Sequence, residues 1–442
     1  GGPPTWITLP KNQWPKEWHG KYDDSDPPVV RLRLSLYGHP LAGLYWEKHC
    51  RAKLLSVGFE PVEGWECLYF HRKLGLFISV YVDDFKLCGR EKNVKNMWKT
   101  LTDTGLELDP PTPLDLGVYL GISQKDIKAP ESLLRDKEKF WKAVVEKQPF
   151  SESPEGQPSP LPTLKEPLPS APKSKKKKSK VTVSNATEGK PSCKAWEYFM
   201  GHGEQCVERY LELASLPKGS LKPALTPGLD DHALAPEDYE TRGELAKDCA
   251  RIVLKVLYLA RMKRLDLLHS VNSLAREVTR WTVACDKRLH RMIGYLNSTK
   301  DYAQVCMVGD NFEDCQILMF VDAGFAGETR DSKSTSGMFC ALVGPRTFVP
   351  LSWFCKKQTA TSTSSSEAEV IALDAGLRLE GLPLLSLWET VLSVFTEGKP
   401  SKTPKGPKYQ SATDIVSMID YVPPNIKEPT GDAKLLILED ND

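Results

Sequence analysis

Eight prolines fall within the 24 residues of Pro149–Pro172, and six lysines follow directly in Lys173–Lys180 (KSKKKKSK). Proline lacks the backbone N–H that helix and sheet ladders use, and it fixes its own φ. A stretch this rich in it, followed by a block of like charge, has too little apolar surface to offset the entropy lost on ordering. A chain of 442 residues interrupted in this way folds in separate parts. The composition shift bounds the charged, Pro/Lys-rich linker or insertion at 126–194, and each flank carries its own folding signals. The lysine block has three open readings: solvated linker charge, a tether that tracks phosphates, or a nuclear-import signal.

Bulk composition excludes several classes. The apolar fraction is 40%, and no run approaches the roughly 18 apolar residues of a membrane span, so no membrane partner is expected. The opening GGPPTW has no initiator Met, basic segment or apolar segment, which suggests a piece of a longer product and no signal peptide. Eleven cysteines without a CxxC pair point to a reducing, intracellular compartment. Cys193, His202 and Cys206 lie near one another without a fourth ligand at finger-like spacing, so zinc is not expected. A net charge of +1 leaves any nucleic-acid contact to local patches.

In the first flank, prolines through Pro28 favour an extended entry, and Val29–Leu36 alternates as a strand. Ala42–Val57 reads as a helix ended by Gly58, where glycine is favoured past a helix C-terminus. Trp65–Phe70 and Gly75–Val82 read as paired strands, with Asp83 and Asp84 at the tip before a returning strand to Gly89. Lys92–Thr104 is a predicted helix and Val118–Ser123 a short strand. Two aspartates at a tip can simply supply the turn. Adjacent carboxylates at a sheet edge can equally hold the divalent ions that clamp the attacking and leaving oxygens of phosphoryl transfer.

Beyond the linker, whose Lys137–Lys147 is a candidate charged helix, the spacing predicts helices over Ala195–Leu216, Asp238–Asn272 and Thr282–Asn297. Arg261, Lys263, Arg264, Lys287, Arg288 and Arg291 on them either meet phosphates or belong to a packing unit. Gln316–Val321, ending at Asp322, then Gly337–Val343 and Phe348–Phe354 predict an antiparallel meander. A Ser/Thr run, Thr359–Ser366, leads into a helix from about Glu367, with Ser366 and Glu369 spaced as a capping box. A carboxylate in that first turn can point at Asp322. A further helix, Leu384–Phe395, and a strand, Lys434–Leu438, precede Glu439 and Asp440.

The motifs Leu36–Gly38 (LYG), a helix bearing Trp46, Gly58-Phe59, Tyr81–Asp84 (YVDD) and Tyr119–Ile122 (YLGI), in that order, resemble the reverse transcriptase of copia-type retrotransposons. The helical stretch LKVLYLARMKRLDLLHSVNSLAR resembles that family's segment between polymerase and ribonuclease H. Val321–Gly327 (VDAGFAG), Asp331–Gly337 (DSKSTSG), Leu351–Gln358 (LSWFCKKQ), Ser365–Leu373 (SSEAEVIAL) and Glu439–Asn441 (EDN) resemble its ribonuclease H. The resemblance implies an α+β and α/β multidomain chain. A partial polymerase palm would occupy 1–125, a helical thumb or connection 195–312, and an RNase H-like mixed sheet with flanking helices 313–442.

The same resemblance implies RNA-directed DNA synthesis and two-metal hydrolysis of RNA in RNA/DNA hybrids. Its cofactor would be Mg²⁺, or Mn²⁺, held by Asp83 and Asp84 in one site and by Asp322, Glu367 and Asp440 in the other. Hard oxygen ligands suit that ion. Glu369 is the second choice for the helix position. Partners would be an RNA template, DNA, the hybrid and dNTPs, in a cytoplasmic particle or the nucleus. Ser332, Ser334, Thr335, Ser336, Lys356, Lys357 and Gln358 are candidate hybrid contacts, or polar loop residues, selection for RNA coming through its 2′-hydroxyls. Three departures stand out. His39–Leu41 replaces a Lys-Gln pair, Leu265 replaces a proline between Arg264 and Asp266, and the first palm aspartate and last RNase H acid would lie before Gly1 and beyond Asp442. A decayed or host-retained fragment that binds nucleic acid without catalysis is the alternative.

Overall fold

The structure, a computed structural model, describes residues 4–33, 36, 38–146, 192–327, 332–396 and 432–439. Pro149–Pro172, Lys173–Lys180, Asp331 and Asp440 lie outside the described residues. The chain divides into two units, Gly1–Pro111 and Thr112–Asp442.

The first unit opens with a small antiparallel pair, β1 (Trp6–Thr8) and β2 (Val29–Arg31). Then follow α1 (Ala42–Ser56), β3 (Glu60–Pro61), β4 (Leu68–His71), β5 (Leu76–Tyr81), β6 (Asp84–Gly89) and α2 (Glu91–Asp103). β3 to β6 form an antiparallel sheet in chain order. Side chains alternate across a strand, so Leu76, Ile78 and Val80 of β5 point one way. They meet Cys50 and Leu54 of α1 and Met97 and Leu101 of α2, all buried in one core. Gly58 follows α1 at φ +94°. A side chain there would meet the His71 ring, 2.9 Å from its Nε2, so both backbone conformation and close packing call for glycine.

The second unit contains β7 (Val118–Tyr119), β8 (Ile122–Ile127), α3 (Glu131–Phe140), β9 (Lys194–Phe199), α4 (His202–Leu213) and α5 (Pro236–Glu240). It continues with α6 (Cys249–Met262), α7 (Leu268–Arg276), α8 (Val283–Ser298), β10 (Gln304–Val308), β11 (Gln316–Gly324), β12 (Thr335–Gly344) and β13 (Thr347–Lys357). Last come α9 (Ser365–Gly376), α10 (Leu382–Phe395) and β14 (Leu435–Leu438). Eight strands make one mixed sheet in the order β14-β11-β12-β13-β10-β9-β8-β7, with only β14 and β11 parallel among the described pairs.

Both faces of β11 are covered, which explains its unbroken apolar run ILMFV, Ile317–Val321. Leu318 and Phe320 pack with Trp141, at the end of α3, and with Ala341 and Val343. Met319 and Val321 face α9, where a side chain at Gly376 would touch them. On the Leu318–Phe320 side of the sheet α6 and α7 pack over β13. There the Trp353 indole donates to the Ala260 carbonyl at 3.1 Å and stacks on Phe339, and the Asn272 amide donates to the Cys355 carbonyl at 2.8 Å.

Three sequence expectations change here. A boundary at 125/126 would cut through β8, which pairs with β9 across residues 123–127. The β7–β8 hairpin therefore belongs to the second unit, and Leu120 and Gly121, both at positive φ, form its two-residue loop. Residues 131–145 are not linker, because Trp141 and the partly buried Phe140 and Val145 seal the sheet. The stretch from Ala195 is not helical at its start: its alternating KAWEYF pattern is claimed by ladders on both sides, and helix begins only at His202.

The predicted helix 238–272 is interrupted between α6 and α7 by Arg264, which is 5% exposed. Its guanidinium bonds both carboxylate oxygens of Asp266 and the carbonyl and hydroxyl of Thr299, pinning the turn to the end of α8.

Candidate functional site

At the tip of the β5–β6 hairpin, Tyr81 pairs with Asp84. The loop is therefore Val82–Asp83, one position earlier than the sequence suggested, and Asp84 already belongs to β6. Val82 sits at φ +57°, a left-handed conformation that costs a β-branched residue about 1–3 kcal/mol. A neighbouring helix holds it there. The Trp46 indole of α1 donates to the Val82 carbonyl at 2.6 Å, and its ring meets Phe85 edge-on. Asp83 and Asp84 are both exposed. Two hard carboxylates at an exposed tip can receive a hydrated cation. No third His, Cys, Asp or Glu completes a metal-holding group there among the described residues.

In the second unit, β11 runs two residues past Asp322, which is exposed opposite Gly337. Glu367 lies in the first turn of α9, also exposed. The Ser364 hydroxyl caps this helix by accepting from the Glu367 N–H at 3.1 Å. The Glu367 carboxylate reaches back, its Oε2 accepting from the Thr363 N–H at 2.6 Å and the Thr363 hydroxyl at 2.7 Å. Those bonds, the backbone one foremost, hold its carboxyl below the usual range and keep it ionised.

Asp322 and Glu367 stand at one end of the sheet. Ala323, beside Asp322, pairs with Ser336. The Gln358 amide then bonds both the Ser336 hydroxyl, at 3.0 Å, and the carbonyl of Ala368, beside Glu367, at 2.8 Å. β14 runs parallel to β11 and sets Leu438 opposite Phe320; Asp440 itself lies outside the described residues.

No protein-family model and no solved structure matches the chain. Over 350 residues, 78% of its length, the chain is 25% identical to a retrovirus-related Pol polyprotein from transposon RE2 of Arabidopsis thaliana, of which it spans 18%. Over 144 residues it is 28% identical to the secreted RxLR effector protein 161 of Plasmopara viticola, covering 32% of this chain and 92% of that protein. The likeness supports a retroelement-derived protein.

For this retroelement-like chain, several predicted contact residues are structural. Ser334, Ser336 and Gln358 are 0%, 3% and 5% exposed, and their polar atoms serve internal bonds. They are not available to a hybrid. Lys356 and Ser332 are exposed, while Thr335 and Lys357 are half-buried. Glu369 is buried rather than capping, so the helix starts two residues earlier than predicted. The same S-x-x-E signal, present at Ser364–Glu367, was legible in the sequence.

Among the helical cations, Arg264 is buried and consumed. Lys287 pairs with Asp238 and Arg288 with Asp231, each at 2.6 Å, and Arg291 bonds Thr226. Lys263 lies buried over the Phe199 ring. Burial lowers its ammonium to about 8. These residues hold the helices together, leaving Arg261 exposed. Sequence reasoning missed the Trp46–Val82 bond and the Gln358 network, since neither pairing leaves a local spacing signal.

Proposed function

We propose that the second unit is a metal-dependent phosphodiester hydrolase acting on RNA in RNA/DNA hybrids, with Asp322 and Glu367 as metal-holding carboxylates. The observation that carries the reading is their placement. Asp322 in β11 and Glu367 in the first turn of α9 stand at the same end of the sheet, where Gln358 bonds the Ser336 hydroxyl of β12 and the Ala368 carbonyl of α9. Their chemistry fits Mg²⁺ or Mn²⁺, which take oxygen ligands. In this reading Asp440, which lies outside the described residues, is the third carboxylate by its match to the family motif. When bound, the divalent ions supply Lewis acidity on both sides of the scissile phosphate.

The residues' own part is to present charge already paid for. Glu367 is kept ionised by Thr363, and Asp322 is carried by a strand buried on both faces, so neither needs large rearrangement. Exposure of both carboxylates leaves room for a nucleic-acid backbone, and exposed Lys356 offers it a countercharge. In the same reading, the first unit carries the Asp83–Asp84 hairpin of an RNA-directed DNA polymerase palm.

The test is cleavage of a labelled RNA/DNA hybrid by the purified chain in Mg²⁺ or Mn²⁺. Cutting of the RNA strand that disappears in Asp322→Asn and in Glu367→Gln is expected. No cutting in either metal would sink the hydrolase claim for this chain. One observation favours a second reading, a retained nucleic-acid-binding fragment without catalysis: a 144-residue stretch makes up 92% of a protein named as a secreted effector. Hybrid binding that is unchanged in Asp322→Asn, with no cleavage, would select it.

A further inference from the structure

We infer that the solvent face of α2, bearing Lys92, Lys95 and Lys99, is a docking surface for the phosphate backbone of a nucleic-acid duplex, a role that rests on the nucleic-acid reading above. At 3.6 residues per turn, the three positions fall within about 60° of arc and span about 10 Å along the helix. All three side chains are exposed. On the opposite side, Met97 and Leu101 are 4% and 0% exposed and pack with Leu76 and Ile78 in the core of the first unit. The start of α2 is fixed as well. The Arg90 N–H donates to the Gly75 carbonyl at 2.9 Å, and the Asn93 side-chain amide donates to the Leu74 carbonyl at 2.6 Å. The rotation of the helix is therefore set, with its lysines outward. Lys73, exposed in the turn those bonds hold, adds a fourth cation beside the first turn.

These cations differ from those of α8 in being unspent. On α8, Lys287 pairs with Asp238, Arg288 with Asp231, and Arg291 bonds Thr226. Lys73, Lys92, Lys95 and Lys99 make no ion pair and no side-chain hydrogen bond among the described residues. Glu91 and Asp103 stand at the two ends of α2 and leave the middle of the stripe positive. Like charges three and four residues apart on a helix repel and destabilise it, so the stripe adds nothing to the fold, and a bound polyanion offsets the repulsion. Phosphates of one duplex strand recur about every 3.4 Å along the axis. A stripe about 10 Å long therefore matches about three of them. Lysine meets phosphate as a flexible point charge, which positions a backbone without reading bases. The chain as a whole carries only +1, so its attraction for a duplex is local, as this stripe is.

The experiment follows the fluorescence anisotropy of a short labelled RNA/DNA hybrid with the full chain, in EDTA, across about 50 to 200 mM NaCl. Each phosphate contact contributes about 0.9 to the slope of log affinity against log salt. Glutamine keeps the helix propensity of lysine, so the combined Lys92→Gln, Lys95→Gln and Lys99→Gln variant should fold. Its slope should fall by about 2 to 3, and its affinity at low salt by about 10-fold or more. The same three positions changed to Arg keep the charge and should keep the wild-type slope. Gln at Lys16, Lys21 and Lys48, exposed elsewhere in the first unit, should cost less than about one unit of slope. Wild-type slope and affinity in the α2 Gln variant overturn the proposal. An equal loss in the Lys16, Lys21 and Lys48 variant, or a wild-type chain that binds no hybrid, does so too. Lost binding to phosphatidylserine vesicles with hybrid binding unchanged overturns it in favour of a membrane. Cleavage in Mg²⁺ is read separately. A chain that binds hybrid through the stripe but cuts no RNA defeats the hydrolase reading alone, and a chain that cuts hybrid while the α2 Gln variant binds as wild type defeats the stripe alone.

Discussion

Asp83 and Asp84 are neighbours in the chain, and a two-residue loop suffices to present them. Asp322 and Glu367 come from a strand and a helix separated by two further strands, and at that sheet end a buried amide bonds β12 to the start of α9. In the hairpin, cost is concentrated in one backbone angle at Val82, with one outside bond from Trp46. In the second unit, the cost is spread through buried polar and charged groups that must find partners. A locally built site is therefore sensitive to backbone chemistry at its tip. A site assembled from distant elements is sensitive to interior changes some way from it.

The largest test of that contrast is Arg264→Ala. Removing a guanidinium that bonds Asp266 and Thr299 strands a partly buried carboxylate, whose charged form those bonds favour despite burial. The second unit should lose about 3–5 kcal/mol, read as a lower denaturant midpoint. A loss under about 1 kcal/mol would mean its charges are not what holds α6, α7 and α8 together.

Next in size is the pH response of the buried lysines. Lys137, over the Phe140 and Trp141 rings, is lowered to about 8 by burial, against the opposing pull of Asp310 and Cys315, and Lys263 is lowered similarly. Between pH 8 and the unfolded value of 10.5 the unfolded chain binds more protons. The lysines' own contribution to the stability of the second unit therefore rises with pH across that window. Buried thiols such as Cys206, Cys306 and Cys340, which burial pushes up to about 12, contribute in the opposite direction. Each lysine contributes up to roughly 3 kcal/mol. Lys137→Met should raise the unfolding temperature at pH 7, by an amount that shrinks as pH approaches 10.5. A stabilisation by Lys137→Met that is the same at pH 7 and pH 10 would refute this.

For the hairpin, Val82→Gly removes the left-handed strain and should stabilise the first unit by about 1 kcal/mol after the added unfolded-state entropy is counted. Trp46→Phe should act oppositely, by about 1 kcal/mol for the lost bond. Faster amide exchange at residues 81–84 in Trp46→Phe than in the wild type is the reading to look for.

The smallest effect belongs to Glu367. Its carboxyl is held below the ordinary value of 4.5, so its capping contribution is complete above that pH and fades as pH falls through the lower folded value. Amide protection in the first turn of α9, taken relative to the intrinsic exchange rate at each pH, should fall on acidification, and the fall should be absent in Glu367→Gln.

Much of this was legible in the order of the residues. The apolar runs and turn residues marked β5–β6, the β11–β13 meander and the α9 region, because each depends on short-range alternation or capping chemistry. The likeness of motifs pointed to a retroelement origin, and the distant match to a transposon Pol polyprotein agrees with that coarse statement. What was misread depended on partners. KAWEYF has strand chemistry but became β9 only because β8 and β10 lie on either side of it. Residues 131–145 look like charged linker until Trp141 is seen against Leu318. Gln358 looks like a contact for an outside ligand until Ser336 and Ala368 claim its amide.

The sequence by itself determined where strands, turns and caps can form and which acidic residues sit at their ends, since those follow from propensity and spacing within a few residues. Only the tertiary structure decided which polar side chains are spent internally and which face outward. A hydrogen bond between residues distant in the chain leaves no periodic trace, and burial, which decides the worth of that bond, is a property of the packed whole.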